Sequence, residues 1–285
     1  MAILSIQSHV AFGHVGNAAA AFPLQRMGRT VWAVHTVMFS AHAGYGPPAG
    51  PIFSPETIRE VVGGLERLGL LSECQAVLSG YLGDAGLGEA VLNAVARVRR
   101  HNPGALFCCD PVMGDEEPGI YVRDNIPGFM RDRAIPSADI ATPNAFEMQL
   151  LTGCKIVTLQ DALTACHALR DTGPSTVLLT SLERDGTPEG MIEMLAVTDA
   201  GAWRVATPKL DLNPSPNGAG DLTAALFLAN LLDGLSCAQA LSRTAASIHA
   251  VFDATEKAGT RELAILDAQN AFVAPPVLFE AVSVS

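Results

Sequence analysis

The sequence predicts an α/β fold in three layers, with a mostly parallel central sheet and helices on both faces. Short apolar segments alternate with longer amphipathic ones along most of the chain, which is typical of strands joined by crossover helices. Several apolar segments are uninterrupted, among them Ala105–Cys109, as expected of strands buried on both sides. No linker or internal repeat divides the 285 residues, so we expect a single domain over residues 1–285.

Each strand is predicted from a short apolar run, and each helix from apolar residues three or four positions apart. The predicted strands are Ala2–Gln7, Thr30–Val37, Gln75–Ser79, Ala105–Cys109, Ala138–Ala141, Thr176–Thr180 and Met191–Val197. The predicted helices are Asn17–Met27, Pro55–Leu70, Leu87–Arg100, Leu159–Arg170, Gly220–Leu232, Cys237–Phe252 and Thr260–Phe272. Ser54 followed by Pro55 marks the start of the second helix, as a cap and a first-turn proline.

Ligands of such sheets bind beyond the carboxyl ends of the parallel strands, so the residues after each strand are the candidates for function. Three loops rich in glycine and proline lie among these connections: Ser40–Pro55, Glu183–Gly190 and Asp211–Gly220. We expect the first and third loops to cover a site, whereas the second fits a cover or a plain surface connection equally well.

The composition excludes several classes of protein. A net charge of −11 repels phosphate backbones, so we expect no nucleic-acid partner. No apolar stretch reaches the roughly 18 residues of a membrane span, and the first residues do not resemble a secretory signal. The six cysteines form no C-x-x-C pair, which favours reduced thiols and a cytoplasmic location. A charged content of only 16% fits either a chain that hides surface in a dimer or an alanine-rich globular protein.

The segment Asn217-Gly218-Ala219-Gly220-Asp221, which opens an apolar helix, carries the strongest chemical signal. Its glycines let successive N–H groups point one way, and a helix amino terminus adds unpaired N–H groups and positive potential. The segment therefore predicts an anion hole for a transferring phosphoryl group, with Asp221 beside it as the base for an attacking hydroxyl. The alternative is an ordinary helix start, which Asn217 and the preceding proline-rich loop disfavour.

Two more segments with carboxylates follow predicted strands. Asp110 and Asp115 come after Ala105–Cys109, and their carboxylates could hold Mg²⁺ against nucleotide phosphates unless Asp110 merely caps a turn. Asn144 and Glu147 follow the next strand with the spacing of a capping box. Glu147 could cap its helix and also face a metal-bound water.

The segment after the first strand offers hydroxyl, imidazole and amide groups, and of these we favour Ser8 over His9 or His14 for ligand contact. Several catalytic motifs are missing from the chain. It contains no Gly-Lys dipeptide and hence no P-loop, and it has neither H-E-x-x-H nor G-x-S-x-G. Phosphoryl transfer without a P-loop is the reaction class that these residues favour.

These segments together resemble a known family. Asn217–Asp221 resembles the N/G-x-G-D signature of the ribokinase-like superfamily. Segments similar to those of the pyridoxal kinases are Ser5–Val10, Gly13–Asn17, Leu78–Gly83, Cys109–Asp115 and Thr142–Asn144. They occur in the same order over nearly the full chain, so the resemblance implies a ribokinase-like fold and ATP-dependent phosphorylation of pyridoxal.

The resemblance also implies a role for each matching residue. Asp221 would deprotonate the 5′-hydroxymethyl group of pyridoxal, and Gly218, Ala219 and Gly220 would form the anion hole. Pyridoxal would lie against Asp221 and among Ser8, which would bond the pyridine ring, Val15, Phe39, Ala43, Gly44 and Tyr81. The residues that would contact ATP are Asp110, Thr142, Glu147, Thr180, Ser181, Thr207, Pro208, Lys209 and Leu210. Those around Mg²⁺ would be Asp110, Asp115 and Glu147, with a monovalent cation such as K⁺ nearby.

The same resemblance implies a homodimer, and the sequence departs from the family pattern at two places. Ala219 stands where many relatives have Thr, which removes a hydroxyl contact to phosphate but keeps the backbone N–H groups. Ala43 and Gly44 stand where many relatives have Thr and a polar residue, which leaves the preference among pyridoxal, pyridoxine and pyridoxamine open.

Two alternative functions stay open at this point. One is another ribokinase-like kinase, acting on hydroxymethylpyrimidine or a sugar. The other is a protein that binds a B6 vitamer without catalysis, which the carboxylates at Asp110, Asp115, Glu147 and Asp221 disfavour.

Overall fold

A computed structural model describes residues 2–285 of the protein. Its strands are β1 Ala2–Val10, β2 Thr30–Phe39, β3 Cys74–Ser79, β4 Leu106–Cys109, β5 Gly114–Asp115, β6 Gly119–Ile120, β7 Ile140–Ala141, β8 Thr176–Leu182, β9 Met191–Thr198, β10 Gly201–Pro208 and β11 Val282–Val284. Its helices are α1 Asn17–Arg26, α2 Pro55–Arg67, α3 Ala85–His101, α4 Asn125–Phe129, α5 Ile135–Ser137, α6 Ala145–Thr152, α7 Leu159–Arg170, α8 Ala219–Leu232 and α9 Cys237–Ala258. A π-helical turn, Met130–Ala134, joins α4 to α5.

Nine of these strands form one sheet in the order β11-β10-β9-β8-β7-β4-β3-β1-β2. Neighbouring strands are parallel from β2 across to β8, and antiparallel from β8 to β11. Strands β5 and β6 form a separate two-stranded antiparallel ribbon. The prediction of a mostly parallel sheet is therefore confirmed.

The sheet is covered by helices on both faces, and its buried strands explain the uninterrupted apolar runs. In β8, Val177 and Leu179 belong to the core shared with α2, α3, α6 and α7. Leu178, between them, belongs to the core shared with α1, α8 and α9, where it joins Phe227 and Leu241. Successive side chains of a strand point to opposite faces, so a strand covered on both faces carries apolar residues at consecutive positions. The predicted three-layer arrangement is confirmed.

The predicted helix Thr260–Phe272 is wrong. Gly259 ends α9 in a left-handed conformation, and the chain then runs through turns to a short 3₁₀ helix at Gln269–Phe272. Leu263, Ile265 and Phe272 are buried against α1, α8 and α9, so their spacing imitates an amphipathic helix without helical backbone. Apolar periodicity cannot separate these two cases, because both place apolar side chains on one face.

Two other expectations fail near the sheet. Ser8 does not follow the first strand but lies inside β1, which pairs with β2 as far as Val10 and Phe39. The strands β10 and β11 were not expected from the sequence, although β10 brings Thr207 and Pro208 to the end of a strand. Strand β11 is the edge strand of the antiparallel part and β10 lies beside it, and both are partly exposed, which weakens their apolar signals.

No helix in the described part of the chain combines the length and the apolar character that crossing a bilayer requires. All six cysteines are free thiols, and four of them are buried. Burial raises the pKa of Cys109 to about 12, so this thiol stays protonated and unreactive.

Candidate active site

The start of helix α8 meets the loop that follows β1. Gly218 is the residue before the helix and has a left-handed backbone, with φ of 89°. A Cβ there would lie 1.8 Å from the carbonyl oxygen of His14, so only glycine allows this approach. The N–H groups of the first helical turn have no partners within the helix, and Gly220 is exposed. The start of α8 therefore has backbone N–H groups without helical partners beside an exposed Gly220.

Asp221 lies on this first turn, and only one of its two carboxylate oxygens has a hydrogen-bond partner among the described residues. Its Oδ2 accepts a hydrogen bond of 2.8 Å from the backbone N–H of Gly16. Its Oδ1 is out of contact with solvent and has no hydrogen-bond partner among the described residues. Burial raises the pKa of Asp221 to about 6, while the Gly16 N–H acts in the opposite direction. A carboxylate in this state can accept a proton near neutral pH.

The amide of Gln7, which sequence reasoning missed, faces the same spot from β1. Gln7 is fully buried, and its Oε1 has no partner among the described residues. A Cβ on Gly80, just after β3, would lie 2.4 Å from this Oε1 and 3.2 Å from Asp221 Oδ1. The only available signal was a long polar side chain in a strand that is largely buried.

Asp110 follows β4 and approaches the start of α8 from the other side. It is only 3% exposed, and its Oδ1 accepts a 3.0 Å hydrogen bond from Thr142 Oγ1. Its Oδ2 has no partner among the described residues and would lie 3.7 Å from a Cβ on Gly220. Burial raises the pKa of Asp110, and the charges of Glu147 and Asp221 raise it further. Asp110 and Asp221 thus each bring one unpartnered carboxylate oxygen to the start of α8.

Glu147 performs the capping role that its spacing predicts. Its backbone N–H donates to Asn144 Oδ1 at 2.8 Å, and its Oε2 accepts from the backbone N–H of Asn144 at 3.0 Å. Its Oε1 accepts from the backbone N–H of Met113 at 2.8 Å and faces that of Gly114 at 3.5 Å. Burial raises the pKa of Glu147 to about 8, and these N–H groups oppose the rise. The same carboxylate therefore fixes both the helix start and the turn that follows Asp110.

The ribbon of β5 and β6 brings two more groups to the edge of the site. Asp115 is exposed on β5. Tyr121, which sequence reasoning missed, follows β6 with its side chain 49% exposed. Although Tyr121 as a residue is half-exposed, the atoms packed around its hydroxyl raise the pKa of the phenol, and the charges of Glu147, Asp221 and Asp110 raise it further. The hydroxyl is therefore close enough to these carboxylates to respond to their charge.

The residues expected around pyridoxal collect at the carboxyl ends of β1, β2 and β3. Ser8 is 6% exposed, and a Cβ on Gly16 would lie 2.4 Å from its Oγ. Phe39 ends β2, and Tyr81 lies two residues beyond β3, where its carbonyl accepts a hydrogen bond from Thr36 Oγ1. The remaining members lie in the loop after β1 or in a 3₁₀ turn after β2: Val15, Ala43 and Gly44.

The residues expected around ATP lie at the ends of β7, β8 and β10. Thr142 and Thr180 are both buried near the ends of the neighbouring strands β7 and β8, and Thr180 pairs with Asn144. Ser181 has a φ of 52°, a left-handed conformation that is uncommon for a residue with a side chain. Lys209 lies just after β10, and its Nζ is 2.7 and 2.8 Å from the two carboxylate oxygens of Glu183. The other members of this set are Thr207, which is buried, Pro208, which is exposed, and Leu210.

No three His, Cys, Asp or Glu side chains between residues 2 and 285 are arranged to bind a cation among themselves. The unpartnered oxygens of Asp110 and Asp221 are hard carboxylate donors, which suit Mg²⁺. Mg²⁺ is usually held by one or two carboxylates together with waters and substrate phosphates, so this donor set fits the ion.

Comparisons with known proteins point to one enzyme class. The sequence model of the phosphomethylpyrimidine kinase family matches residues 70–265. The pyridoxal kinase PdxY of Rubrobacter xylanophilus is 56% identical over 97% of this chain and 95% of its own length. The corresponding protein of Deinococcus radiodurans is 52% identical over 98% and 95%. The structure of Leishmania donovani pyridoxal kinase in complex with ADP and pyridoxamine superimposes with a TM-score of 0.91, at 29% identity over 99% of both chains.

Proposed function

The chain belongs to the pyridoxal kinase family and phosphorylates pyridoxal with ATP in vitamin B6 salvage, and we propose which of its residues carry out that transfer. The 56% identity over nearly the full chain carries the assignment of activity. The carboxylate of Asp221 beside the amides at the start of α8 carries the assignment of the catalytic group.

The proposed reaction depends on holding the 5′-hydroxyl of pyridoxal between Asp221 and the terminal phosphate of ATP. Asp221 Oδ1 accepts the proton of the hydroxyl as its oxygen attacks the γ-phosphorus and the bond to ADP breaks. The N–H groups of Gly218, Ala219 and Gly220 donate to the oxygens of the transferring group. Gly16 N–H keeps the carboxylate turned toward the substrate.

Mg²⁺ would supply charge neutralisation at the phosphates. We propose that Asp110 Oδ2 binds the ion and that Asp115 borders it from the β5–β6 ribbon. Glu147 has three backbone N–H groups around its oxygens, so we assign its remaining lone pair to a water on the ion. The family resemblance alone supports a monovalent cation such as K⁺ near the same phosphates.

The remaining residues are proposed to bind the two substrates. ATP would contact Thr142, Thr180, Ser181 and the Thr207–Leu210 stretch. The ion pair between Glu183 and Lys209 would open or shift so that Lys209 can turn toward ATP. Around pyridoxal, Ser8 would bond the ring nitrogen, and the pocket would be completed by Val15, Phe39, Ala43, Gly44 and Tyr81. Because Ala43 and Gly44 offer no side-chain hydrogen bonds, we propose that all three vitamers are accepted.

A pyrimidine kinase is the second candidate, because the matching family model is named for phosphomethylpyrimidine kinase. The test is ADP release with ATP and Mg²⁺, measured with pyridoxal, pyridoxine, pyridoxamine and hydroxymethylpyrimidine. We expect the highest kcat/KM with a B6 vitamer. Faster turnover of the pyrimidine would reverse the choice, and vitamer binding without ADP release would indicate a non-catalytic binding protein.

We also propose that residues 1–285 act as one kinase domain in a cytoplasmic homodimer. The single sheet takes strands from both ends of the described chain, β1 and β11, which supports one domain. Free thiols fit a reducing compartment. Sedimentation equilibrium tests the dimer, since a species of twice the 29.8 kDa chain mass is expected.

The Mg²⁺ assignment predicts a pH-dependent stabilisation. The folded pKa values of Glu147, about 8, and Asp221, about 6, lie above the ordinary 4.5 and 3.8. The free energy of unfolding without metal should therefore fall as pH rises from about 4 to about 8. Saturating Mg²⁺ should raise the melting temperature by about 5 °C at pH 8 and by much less at pH 5.

The matched variants for this test are Asp110→Asn and Glu60→Gln. Asp110→Asn removes one of the mutually repelling carboxylates, so it should raise the metal-free melting temperature at pH 8 and abolish the response to Mg²⁺. Glu60 is exposed on α2, and its variant should respond like the wild type. An undiminished Mg²⁺ response in Asp110→Asn would contradict the site.

A further inference from the structure

The segment after α9 folds back onto the loops of the proposed pyridoxal pocket. Its Glu262 has a side chain only 14% exposed and bonds two separate loops. Glu262 Oε2 accepts a 2.9 Å hydrogen bond from the backbone N–H of His14, next to Val15 in the loop after β1. Glu262 Oε1 lies 3.0 Å from His42 Nε2 and accepts a 2.8 Å hydrogen bond from the Tyr45 hydroxyl.

The Glu262 carboxylate is ionised at neutral pH. Burial raises its pKa, but the hydrogen bonds from Tyr45, His42 and His14 outweigh burial and hold the pKa below its usual value. A charged acceptor strengthens each of these bonds relative to a neutral one. One anionic group therefore links three segments of the chain that are far apart in sequence.

The neighbouring Arg261 bonds the same turn after β2. One of its Nη atoms donates to the carbonyl oxygen of Gly44 at 2.5 Å, and its guanidinium lies 4.2 Å from the centre of the Tyr45 ring. A Cβ on Gly44 would lie 2.8 Å from Arg261 Nη2. Residues 43–45 are exposed, so these contacts, not burial in a core, define where the turn lies.

The loop after β1 is shaped to admit the carboxylate. Gly13 has a φ of 94°, and a Cβ there would lie 2.3 Å from Glu262 Oε2. Both the backbone conformation and the space at this position therefore require glycine. The contact between Glu262 and the loop therefore depends on the residue type at two positions, Gly13 and Glu262.

We infer that Glu262 is a positioning residue for the vitamer: it holds the loop after β1 and the turn after β2 in the relative placement that pyridoxal needs. This inference rests on the proposed pocket, in which Val15 belongs to the loop and Ala43 and Gly44 belong to the turn. Glu262 has no proposed contact with substrate and acts through His14, His42 and Tyr45. None of the residues assigned to ATP forms a hydrogen bond with Glu262, so its effect should fall on the vitamer.

The test measures kcat, KM for pyridoxal and KM for ATP in Glu262→Gln. The amide cannot accept from both loops as the carboxylate does, because one of its two polar atoms is a donor. We expect KM for pyridoxal to rise about tenfold, as for loss of a charge-assisted hydrogen bond. KM for ATP should stay within about twofold of the wild type, because none of the residues assigned to ATP is a hydrogen-bond partner of Glu262.

Two further variants disturb the contacts of Glu262 by changing the residues around it instead of Glu262 itself. Gly13→Ala obstructs Glu262 from the loop and should raise KM for pyridoxal without a matching rise in KM for ATP. Tyr45→Phe removes one hydrogen bond but keeps the ring beside Arg261, so it should fold and raise KM for pyridoxal by about threefold. Direct titration with pyridoxal in the absence of ATP should show the same losses as changes in Kd.

The matched control is Glu66→Gln. Glu66 also bonds three side chains, Arg97, Arg100 and His101, but on helices α2 and α3. It should lower the melting temperature and leave both KM values unchanged. The inference is wrong if Glu262→Gln and Tyr45→Phe fold and keep the wild-type KM for pyridoxal. It is also wrong if both KM values rise equally. A wild-type protein that phosphorylates no vitamer would instead overturn the proposed function.

Discussion

Asp221→Asn is expected to fold normally and to lose about a thousandfold in kcat for pyridoxal phosphorylation. The asparagine amide cannot accept the hydroxyl proton, and general bases contribute about 10²–10⁴-fold. Folding should be unharmed, because removing a buried carboxylate with a pKa raised to about 6 relieves a desolvation cost. Steady-state ADP release and thermal melting measure the two effects separately.

Asp233→Asn is the matched control at the other end of the same helix. Asp233 is the residue after α8 and pairs with Arg29 in a partly exposed ion pair. Its replacement should lower stability slightly and leave kcat unchanged. A kcat for Asp221→Asn close to that of Asp233→Asn would remove Asp221 from the role of base.

Gly218→Ala is expected to lose at least about a hundredfold in kcat and to melt at a lower temperature. The added Cβ would lie 1.8 Å from His14 O, so the start of α8 must move away from the loop after β1. That movement displaces the N–H groups aimed at the phosphoryl oxygens, and the loss of one such donor alone costs about 10²–10³-fold in related sites. The ratio of kcat between variant and wild type, with melting curves on both, measures the effect.

Gly234→Ala is the control that separates the effect of backbone strain from the effect of a Cβ meeting His14 O. Gly234, just beyond α8, has a φ of 80°, but a Cβ there would meet nothing within 4 Å. It should cost about 1 kcal/mol of stability through strain and leave kcat unchanged. If Gly218→Ala loses no more activity than Gly234→Ala, the amides at the start of α8 do not act in the transfer.

The sequence predicted the layers and the start of α8 well because both depend on local signals. Uninterrupted apolar runs such as Ala105–Cys109 need burial on both faces, and the glycines before Asp221 mark a helix start wherever the helix lies. The predicted helix start at Gly220 is within one residue of the observed start at Ala219. The capping box at Asn144 and Glu147 was likewise visible from spacing alone.

The parts that were missed depend on contacts between distant segments. The unpartnered Oε1 of Gln7 is next to the site because the chain after β3 and the start of α8 meet β1 there, where Gly80 has no side chain to obstruct them. Tyr121 reaches the carboxylates through a two-stranded ribbon too short to show an alternating pattern. Glu262 lies in a segment whose apolar spacing wrongly indicated a helix, and its bonds to His14 and His42 span more than 200 residues.

The most direct test is the pH dependence of kcat/KM for pyridoxal in the wild type and in Asp221→Asn, measured at Mg²⁺ concentrations that saturate the enzyme at every pH so that titration of the metal ligands does not contribute. If Asp221 must be ionised to accept the proton, the wild-type value should fall on the acid side, with a midpoint at or below about pH 6 because a bound cation favours the ionised form. The residual activity of Asp221→Asn should lack this fall. An acid limb that is unchanged in the variant would show that another group takes the proton.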